Sequence, residues 1–443
     1  MAVRNQRALP SDRSTSASGR RGTPDFLFLF LTFLLVCFGF AFVFSASMAL
    51  NANTPWPFAF KQAINITVGI FCMLVCMNID YRKFQKWIKP LFISVVLLLL
   101  ATPVIGASLN NARSWIKLGF FTLQPTELAK LMVILYLAGL LSRKGEGIRD
   151  FKTGFIPPLA VIGFISALIM LQPDFGSTAI LCACALVMIF VGGARMRHMF
   201  LLGLAGACLA SLFAAVYLLI GGEGNYRIDR FTTFLDPFSD ANDKGYQIVQ
   251  ALYAFGHGGT FGAGFGQSIQ KLHYLPLPYN DFIFPVIGEE LGFIGTSIFL
   301  LVYLAFLWRG LIIALRSKET FGMLTGVGII SLIGIQAFIN MGGVTNTIPM
   351  TGVTLPLISY GGTSIVVTLM SLGILLSISR DYNKPEKEKA AEKKKNARLH
   401  RRTLTMTEMQ TALPGQRRFT GPIRQKDPFV KGSSSCFVLS AGL

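Results

Sequence analysis

The stretch KLHYLPLPYNDFIFPVIGEELG, residues 271–292, brings three carboxylates to the start of a predicted membrane helix. Asp281 lies at the mouth of that helix, and Glu289 and Glu290 lie within it. An ionised side chain inside hydrocarbon is costly, so each of these groups needs a partner, water or a function. At a rise of about 1.5 Å per residue, Glu289 is expected about 12 Å deeper than Asp281, with Glu290 pointing to the opposite side. The sequence therefore predicts different surroundings for the two glutamates, one beside a polar cavity and one paired with a neighbouring helix.

The composition of the chain is that of a polytopic membrane protein. Of its 443 residues, 52% are hydrophobic and 14% are charged, whereas a soluble domain has about 25% charged residues. The formal net charge is +19, but Lys and Arg concentrate in the C-terminal tail and in short loops, which is typical of topology determinants and argues against nucleic-acid binding. The seven cysteines indicate no exported disulfide framework, and the four histidines match no zinc-ligand spacing.

Apolar windows of about 20 residues predict an all-α fold with ten transmembrane helices. The windows are residues 26–48, 59–79, 88–107, 126–142, 154–172, 176–192, 198–220, 282–307, 321–341 and 361–379. The first window is too long for a signal-peptide core and is predicted to be a membrane helix. Because Lys and Arg lie mainly in alternate loops, the positive-inside rule predicts that both termini are cytoplasmic and that Asp281 lies at the outer face.

The predicted helical domain, residues 26–380, is flanked by two polar segments. Residues 1–25 are predicted to be a disordered cytoplasmic N-terminus, and residues 381–443 a basic disordered cytoplasmic tail, whose charge run cannot form a core. One long extracellular loop, residues 221–280, is predicted between the seventh and eighth helices. Within this loop, a helical apolar pattern predicts a short interfacial or re-entrant helix. The following glycine cluster, GHGGTFGAGFG at 256–266, indicates flexible or closely packed backbone and is not a P-loop.

Asp281 itself has two interpretations that stay open at the level of residue chemistry. Asn280 or Asp281 can be the N-cap of the helix, accepting hydrogen bonds from its first amides. Alternatively, Asp281 is a functional carboxylate that acts as a proton acceptor.

Several further charged residues at the predicted outer face are candidates for binding substrate. Glu127 and Lys130 lie three residues apart at the start of the fourth helix and form either an ion pair or a substrate contact. In the long loop, Arg227 and Arg230 with Lys271 can hold a diphosphate, although pairing of the arginines with nearby aspartates is the structural alternative. The complete set of predicted substrate-binding residues is Arg113, Lys117, Glu127, Lys130, Arg227, Arg230, Lys271 and Glu289.

Several sequence blocks in one order resemble a known family. The blocks are NARSWIKLG (111–119), QPTELAK (124–130), QPDFGST (172–178), YRIDRF (226–231), NDFIF (280–284), GEELG (288–292) and TGVTLPLISYGG (351–362). On these blocks the chain resembles the SEDS family (shape, elongation, division and sporulation), and most of all its division and sporulation members. The resemblance extends over about residues 26–380. Leu277 and Tyr279 depart from it, since many relatives have an acidic residue and a histidine there.

The resemblance implies a peptidoglycan glycosyltransferase of the cytoplasmic membrane that polymerises lipid II at the outer face, for septal wall synthesis. The family's essential aspartate corresponds to Asp281, which would act as the general base. A class B penicillin-binding transpeptidase, other division proteins and membrane lipids are the implied partners. A divalent cation, Mg²⁺ or Mn²⁺, could help neutralise the diphosphate, but no motif demonstrates one. A lipid II flippase and a non-catalytic division scaffold are the alternatives.

Overall fold

The computed structural model describes residues 22–48, 56–109, 112–118, 121–219, 233–241, 243 and 245–383. Within these residues the regular secondary structure is helical apart from three short strands. The helices are α1 (Phe26–Ser47), α2 (Trp56–Asn78), α3 (Tyr81–Ile105), α4 (Pro125–Lys144), α5 (Ile156–Met170), α6 (Phe175–Val191), α7 (Met196–Leu219), α8 (Tyr246–Gly258), α9 (Ile283–Leu315), α10 (Thr320–Val344) and α11 (Gly362–Tyr382). Two short turns of 3₁₀ and π helix, Gly145–Arg149 and Phe151–Phe155, connect α4 to α5.

Eight of the described helices are long and apolar enough to cross a bilayer. They are α1 to α5 and α9 to α11. This confirms the predicted class, a helical polytopic membrane protein. The 17-residue helix α6 is apolar but shorter, and α6 and α7 coincide with the sixth and seventh predicted spans. Within the predicted long loop, residues 221–232, 242 and 244 lie outside the described residues.

Polar residues define where several helices begin. Asp25 precedes α1 and its carboxylate accepts a hydrogen bond from the Phe28 amide at 3.0 Å. Asp174 precedes α6 in the same way, accepting from the Ser177 amide at 2.9 Å. Such caps satisfy amides that have no partner inside the helix.

A small antiparallel sheet, which the sequence did not predict, lies between α3 and α4. Its strands are β1 (Ala107–Leu109), β2 (Ala112–Leu118) and β3 (Phe121–Leu123), paired in that order. The sheet is tied to the bundle by Thr363 at the start of α11, whose hydroxyl donates to the Thr122 carbonyl at 2.7 Å and accepts from the Gln124 amide at 3.0 Å.

The two ends of the helix bundle differ in chemistry. At one end, which we name the ion-pair end, Asp25 pairs with Arg309 at 2.7 Å, and Arg82 pairs with Glu319 at 2.7 Å and with Asp381 at 2.9 Å. The opposite end, named the sheet end, holds β1 to β3 and the start of α9. The central helix between them is α10, which packs against α4, α6, α9 and α11.

Helix α9 is interrupted at Gly292, whose backbone has φ 64° and ψ −170°. At this break the glycine-rich segment after α8 pairs with α9: the Ala263 amide donates to the Glu289 carbonyl, and the Phe293 amide donates to the Gly259 carbonyl, both at 2.9 Å. A Cβ at Gly262 would lie 2.3 Å from the Glu290 carbonyl oxygen. The short helix predicted in the long loop is present as α8. Within the glycine cluster, Gly258 and Gly262 pack closely against α9.

Candidate active site

Asp281 lies in the connection between α8 and α9, two residues before α9 begins, and the residue is partly exposed. The N-cap position of α9 is Phe282, which makes no side-chain cap hydrogen bond. Neither Asn280 nor Asp281 occupies the N-cap, so the capping interpretation is not supported. The helix begins at Ile283, close to the predicted start at residue 282. Asp281 lies outside it, so the helical rise used to estimate its distance to Glu289 does not apply.

The main chain of Asp281 is held by Asn340, near the end of α10. The Asn340 side-chain amide donates to the Asp281 carbonyl at 2.8 Å and to the Val353 carbonyl at 2.7 Å. One amide group therefore links the segment that precedes α9 to the segment that precedes α11. Asn340 itself is buried, with 3% of its surface exposed.

Tyr279, two residues before Asp281, packs against two other aromatic rings. The Tyr279 ring lies 4.9 Å from Phe58 and 5.6 Å from Tyr360, measured between centroids. The Tyr360 amide also donates to the Tyr279 carbonyl at 2.9 Å. Burial raises the pKa of the Tyr279 phenol, and burial together with Tyr279 raises the pKa of Tyr360. Both phenols therefore stay protonated at neutral pH and can donate hydrogen bonds.

Glu289 is completely buried and binds the turn that follows the glycine cluster. Its carboxylate accepts hydrogen bonds from the Ser268 hydroxyl, from the Ile269 amide at 2.9 Å and from the Gln270 amide at 3.3 Å. The imidazole Nδ1 of His257, on α8, lies 2.8 Å from the same carboxylate. This geometry does not support the predicted role of Glu289 in substrate binding, because its acceptor positions are occupied by the protein.

Glu290 pairs with Lys271 and with α1. The Lys271 ammonium lies 2.8 Å from Glu290 Oε1 and donates to the Ser45 hydroxyl at 2.9 Å, while Ser45 donates to Glu290 at 2.6 Å. The predicted pairing of one glutamate with a neighbouring helix is confirmed for Glu290. The polar cavity predicted beside the other is not found, because Glu289 is completely buried and bonded to the protein. The predicted role of Lys271 in holding a diphosphate is not supported, because its ammonium is buried and neutralised by Glu290.

Glu127 and Lys130 form a buried ion pair of 2.8 Å at the start of α4. The Lys130 ammonium also donates to the Gln336 side chain at 3.1 Å, and Gln336 in turn donates to the Thr354 carbonyl at 3.0 Å. The ion-pair interpretation is therefore supported by the geometry. Through Gln336, the pair is linked to the same segment that Asn340 holds.

The remaining predicted substrate residues have different surroundings. Both Arg113 and Lys117 lie in β2, opposite Ser108 and Thr122 respectively, and the Lys117 side chain is exposed. Arg227 and Arg230 lie outside the described residues.

Three contributors to the site were not predicted from the sequence: Ser45, His257 and the bridging contacts of Asn340. The sequence signal for Ser45 was a polar residue within an apolar helix.

Among the described residues, no group of three or more His, Cys, Asp or Glu side chains could hold a metal ion.

The fold and the site define a helical membrane protein with a partly exposed carboxylate and buried ion pairs at one end of the bundle. A family model described as "Cell cycle protein", named for FtsW, RodA and SpoVE, matches residues 25–384. The chain belongs to this family, which is the SEDS family that its sequence blocks resemble.

Individual relatives are similar in sequence to this chain along most of their own length. Stage V sporulation protein E of Bacillus subtilis is 45% identical over 325 residues, covering 73% of this chain and 87% of that protein. The probable peptidoglycan glycosyltransferase FtsW of Geobacter metallireducens is 40% identical over 324 residues, covering 73% of this chain and 84% of that protein.

Two solved structures have the same fold. One chain, from a study of how a peptidoglycan synthase complex coordinates polymerization and crosslinking, superposes with a TM-score of 0.69 at 28% identity, covering 82% of this chain and 99% of that one. The rod shape determining protein RodA of Thermus thermophilus has a TM-score of 0.59 at 28% identity, covering 82% of this chain and 98% of that one.

Proposed function

We propose that this chain is a peptidoglycan glycosyltransferase that polymerises lipid II into septal glycan strands, with Asp281 as the general base. The observation that carries the proposal is the position of Asp281: partly exposed, at the sheet end, with its main chain fixed by Asn340. Membership of the family, and the activity named for the FtsW relative, support the reaction class.

The reaction is one displacement at an anomeric carbon. A sugar hydroxyl of one lipid II attacks the anomeric carbon of the glycan that carries polyprenyl diphosphate, and Asp281 accepts the hydroxyl proton. The new glycosidic bond forms as the bond from carbon to diphosphate oxygen breaks, which inverts the configuration. The departing diphosphate leaves with the electron pair, so nearby positive charge lowers the barrier.

Exposed cations near the sheet end are the candidates for binding the diphosphate. Lys117, with its exposed side chain on β2, meets this requirement, and Arg113, Arg227 and Arg230 remain candidates on sequence grounds. Lys271 is not among these candidates. If it bound the diphosphate, the buried carboxylate of Glu290 would lose its counterion, which is costly.

The proposed topology counts α6 and α7 with the eight longer helices, giving ten spans and cytoplasmic N- and C-termini. The ion-pair end then faces the cytoplasm and Asp281 faces outward. The concentration of Lys and Arg in the predicted cytoplasmic loops supports this orientation. A class B penicillin-binding transpeptidase is the proposed partner, because one structural relative comes from a peptidoglycan synthase complex.

The test is reconstitution of the full-length protein with its transpeptidase partner and labelled lipid II. Formation of glycan polymer is the expected result. Movement of lipid II between leaflets without polymer would instead identify a flippase. A protein with neither activity that still recruits division proteins would be a scaffold.

A further inference from the structure

A cavity of about 470 Å³ opens at the ion-pair end, between the start of α1 and the ends of α9 and α11. Its polar lining includes Asp25, Arg309, Arg316, Ser379, Tyr382 and Asn383. Its apolar lining includes Phe26, Leu27, Ile312 and Ile313. The cavity therefore offers both charged and apolar surface to one ligand, at the opposite end of the bundle from Asp281.

The two arginines of the cavity differ in their partners. Arg309 donates twice to Asp25, at 3.2 and 2.7 Å, so these two charges neutralise each other. Arg316 has no carboxylate partner in the described part of the chain, and its guanidinium lies over the Tyr382 ring, 5.6 Å from the centroid. A guanidinium carries five N–H donors and no acceptor, which suits it to oxygen acceptors such as those of a phosphate. The lining charges thus sum to one unpaired positive charge, that of Arg316.

Large apolar side chains adjoin this charge at the helix ends. Phe26 is 66% exposed, Leu27 is 51% exposed and Leu315 is 57% exposed. At the end of a membrane helix, exposed apolar side chains of this size are expected to contact acyl chains, while Arg reaches the headgroup region. The ligand should therefore be amphipathic.

We infer that this cavity binds the phosphodiester headgroup of a singly charged anionic phospholipid. Arg316 donates to the phosphate oxygens, and Phe26 and Leu27 contact the acyl chains. One unpaired arginine matches one negative charge, whereas a soluble phosphate would leave the apolar lining unused.

Native mass spectrometry of the purified, delipidated full-length protein in detergent tests the inference. Phosphatidylglycerol and phosphatidylcholine with identical acyl chains are the two probes. Wild-type protein should prefer phosphatidylglycerol, and Arg316→Ala should weaken that binding by about tenfold, as expected for loss of a charge-assisted hydrogen bond. Lys318→Ala is the matched control, because Lys318 is an exposed cation that does not line the cavity; it should bind like wild type.

Each of three results would overturn the inference. Equal binding of the two lipids would remove the headgroup preference, and an equal loss in Lys318→Ala would indicate unspecific charge attraction. Displacement of phosphatidylglycerol by excess inorganic phosphate would indicate a site for free anions. A thermal melt of Arg316→Ala that matches wild type establishes that the variant is folded, which is expected because Arg316 is exposed.

Discussion

At the scale of single residues, the Asn340 side-chain amide holds the main-chain carbonyl of Asp281. Replacing Asn340 with Ala removes the donors to the Asp281 and Val353 carbonyls, so Asp281 should move relative to the substrate. Displacements of about 1 Å can lower rates by up to about a hundredfold. We expect Asn340→Ala to lower the maximal rate of lipid II polymerisation by about tenfold to a hundredfold, measured with saturating substrate.

The control for that experiment is Asn78→Ala. Asn78 is an exposed residue at the end of α2, and its amide also donates to one main-chain carbonyl, that of Leu74 at 2.9 Å. It lies at the ion-pair end, so its loss should leave the rate unchanged. Wild-type rates in Asn340→Ala would contradict the positioning role.

Lys271 and Glu290 are each expected to be tolerated in the buried interior only while the other is charged and paired with it. Lys271→Met leaves a buried carboxylate without its counterion, which typically costs about 3–5 kcal/mol. Adding Glu290→Gln removes the stranded charge and should restore much of the loss. The free energy of unfolding of the purified protein, from denaturant titration in detergent, measures both effects. A double variant less stable than Lys271→Met would contradict this account.

The site could be predicted only in part, for a physical reason. Asp281 was identifiable because a carboxylate beside an apolar run is costly and because its sequence block is distinctive. The partners of Lys271 could not be predicted. Ser45 is 226 residues away along the chain, and only the packing of α1 on α9 brings it close to Lys271. A free lysine and a buried, paired lysine look alike in a single sequence.

At the scale of elements, the packing of α8 on α9 depends on glycine. A Cβ at Gly258 would lie 2.3 Å from the Gly288 carbonyl, whereas a Cβ at Gly256 would meet nothing within 4 Å. Gly258→Ala should therefore force α8 away from α9 and destabilise the protein by about 1–3 kcal/mol, as overpacking does. Gly256→Ala, in the same helix, should be neutral or stabilising by up to about 1 kcal/mol.

Thermal unfolding of the two variants distinguishes these outcomes. Equal melting temperatures would mean that α8 does not approach α9 as closely as described.

The helices were predictable because apolar runs longer than a bilayer is thick leave a strong signal. The strands β1 and β3 have three residues each, too few to show an alternating pattern. The break at Gly292 was also not predicted, because an isolated glycine is tolerated in many helices. What makes it a break is the positive φ there, stabilised by amide contacts with residues 259–264.

At the scale of the whole molecule, the proposed topology puts the two ends of the bundle on opposite sides of the membrane. Lys117 at the sheet end and Lys318 at the ion-pair end are both exposed. In a cysteine-free background, Lys117→Cys should react with a membrane-impermeant thiol reagent in intact cells, and Lys318→Cys only after permeabilisation. The reverse pattern would place Asp281 on the cytoplasmic side, away from the extracellular glycan.

The most direct test of the central claim is the rate of lipid II polymerisation by Asp281→Asn, with Asp243→Asn as control. Asn preserves the shape of the side chain but cannot act as a base, whereas Asp243 is an exposed aspartate before α8 that is not part of the site. General-base catalysis contributes about 10²- to 10⁴-fold. A loss in that range for Asp281→Asn, with wild-type melting temperature and an unchanged Asp243→Asn, is the predicted result. Polymerisation by Asp281→Asn at the wild-type rate would contradict the claim.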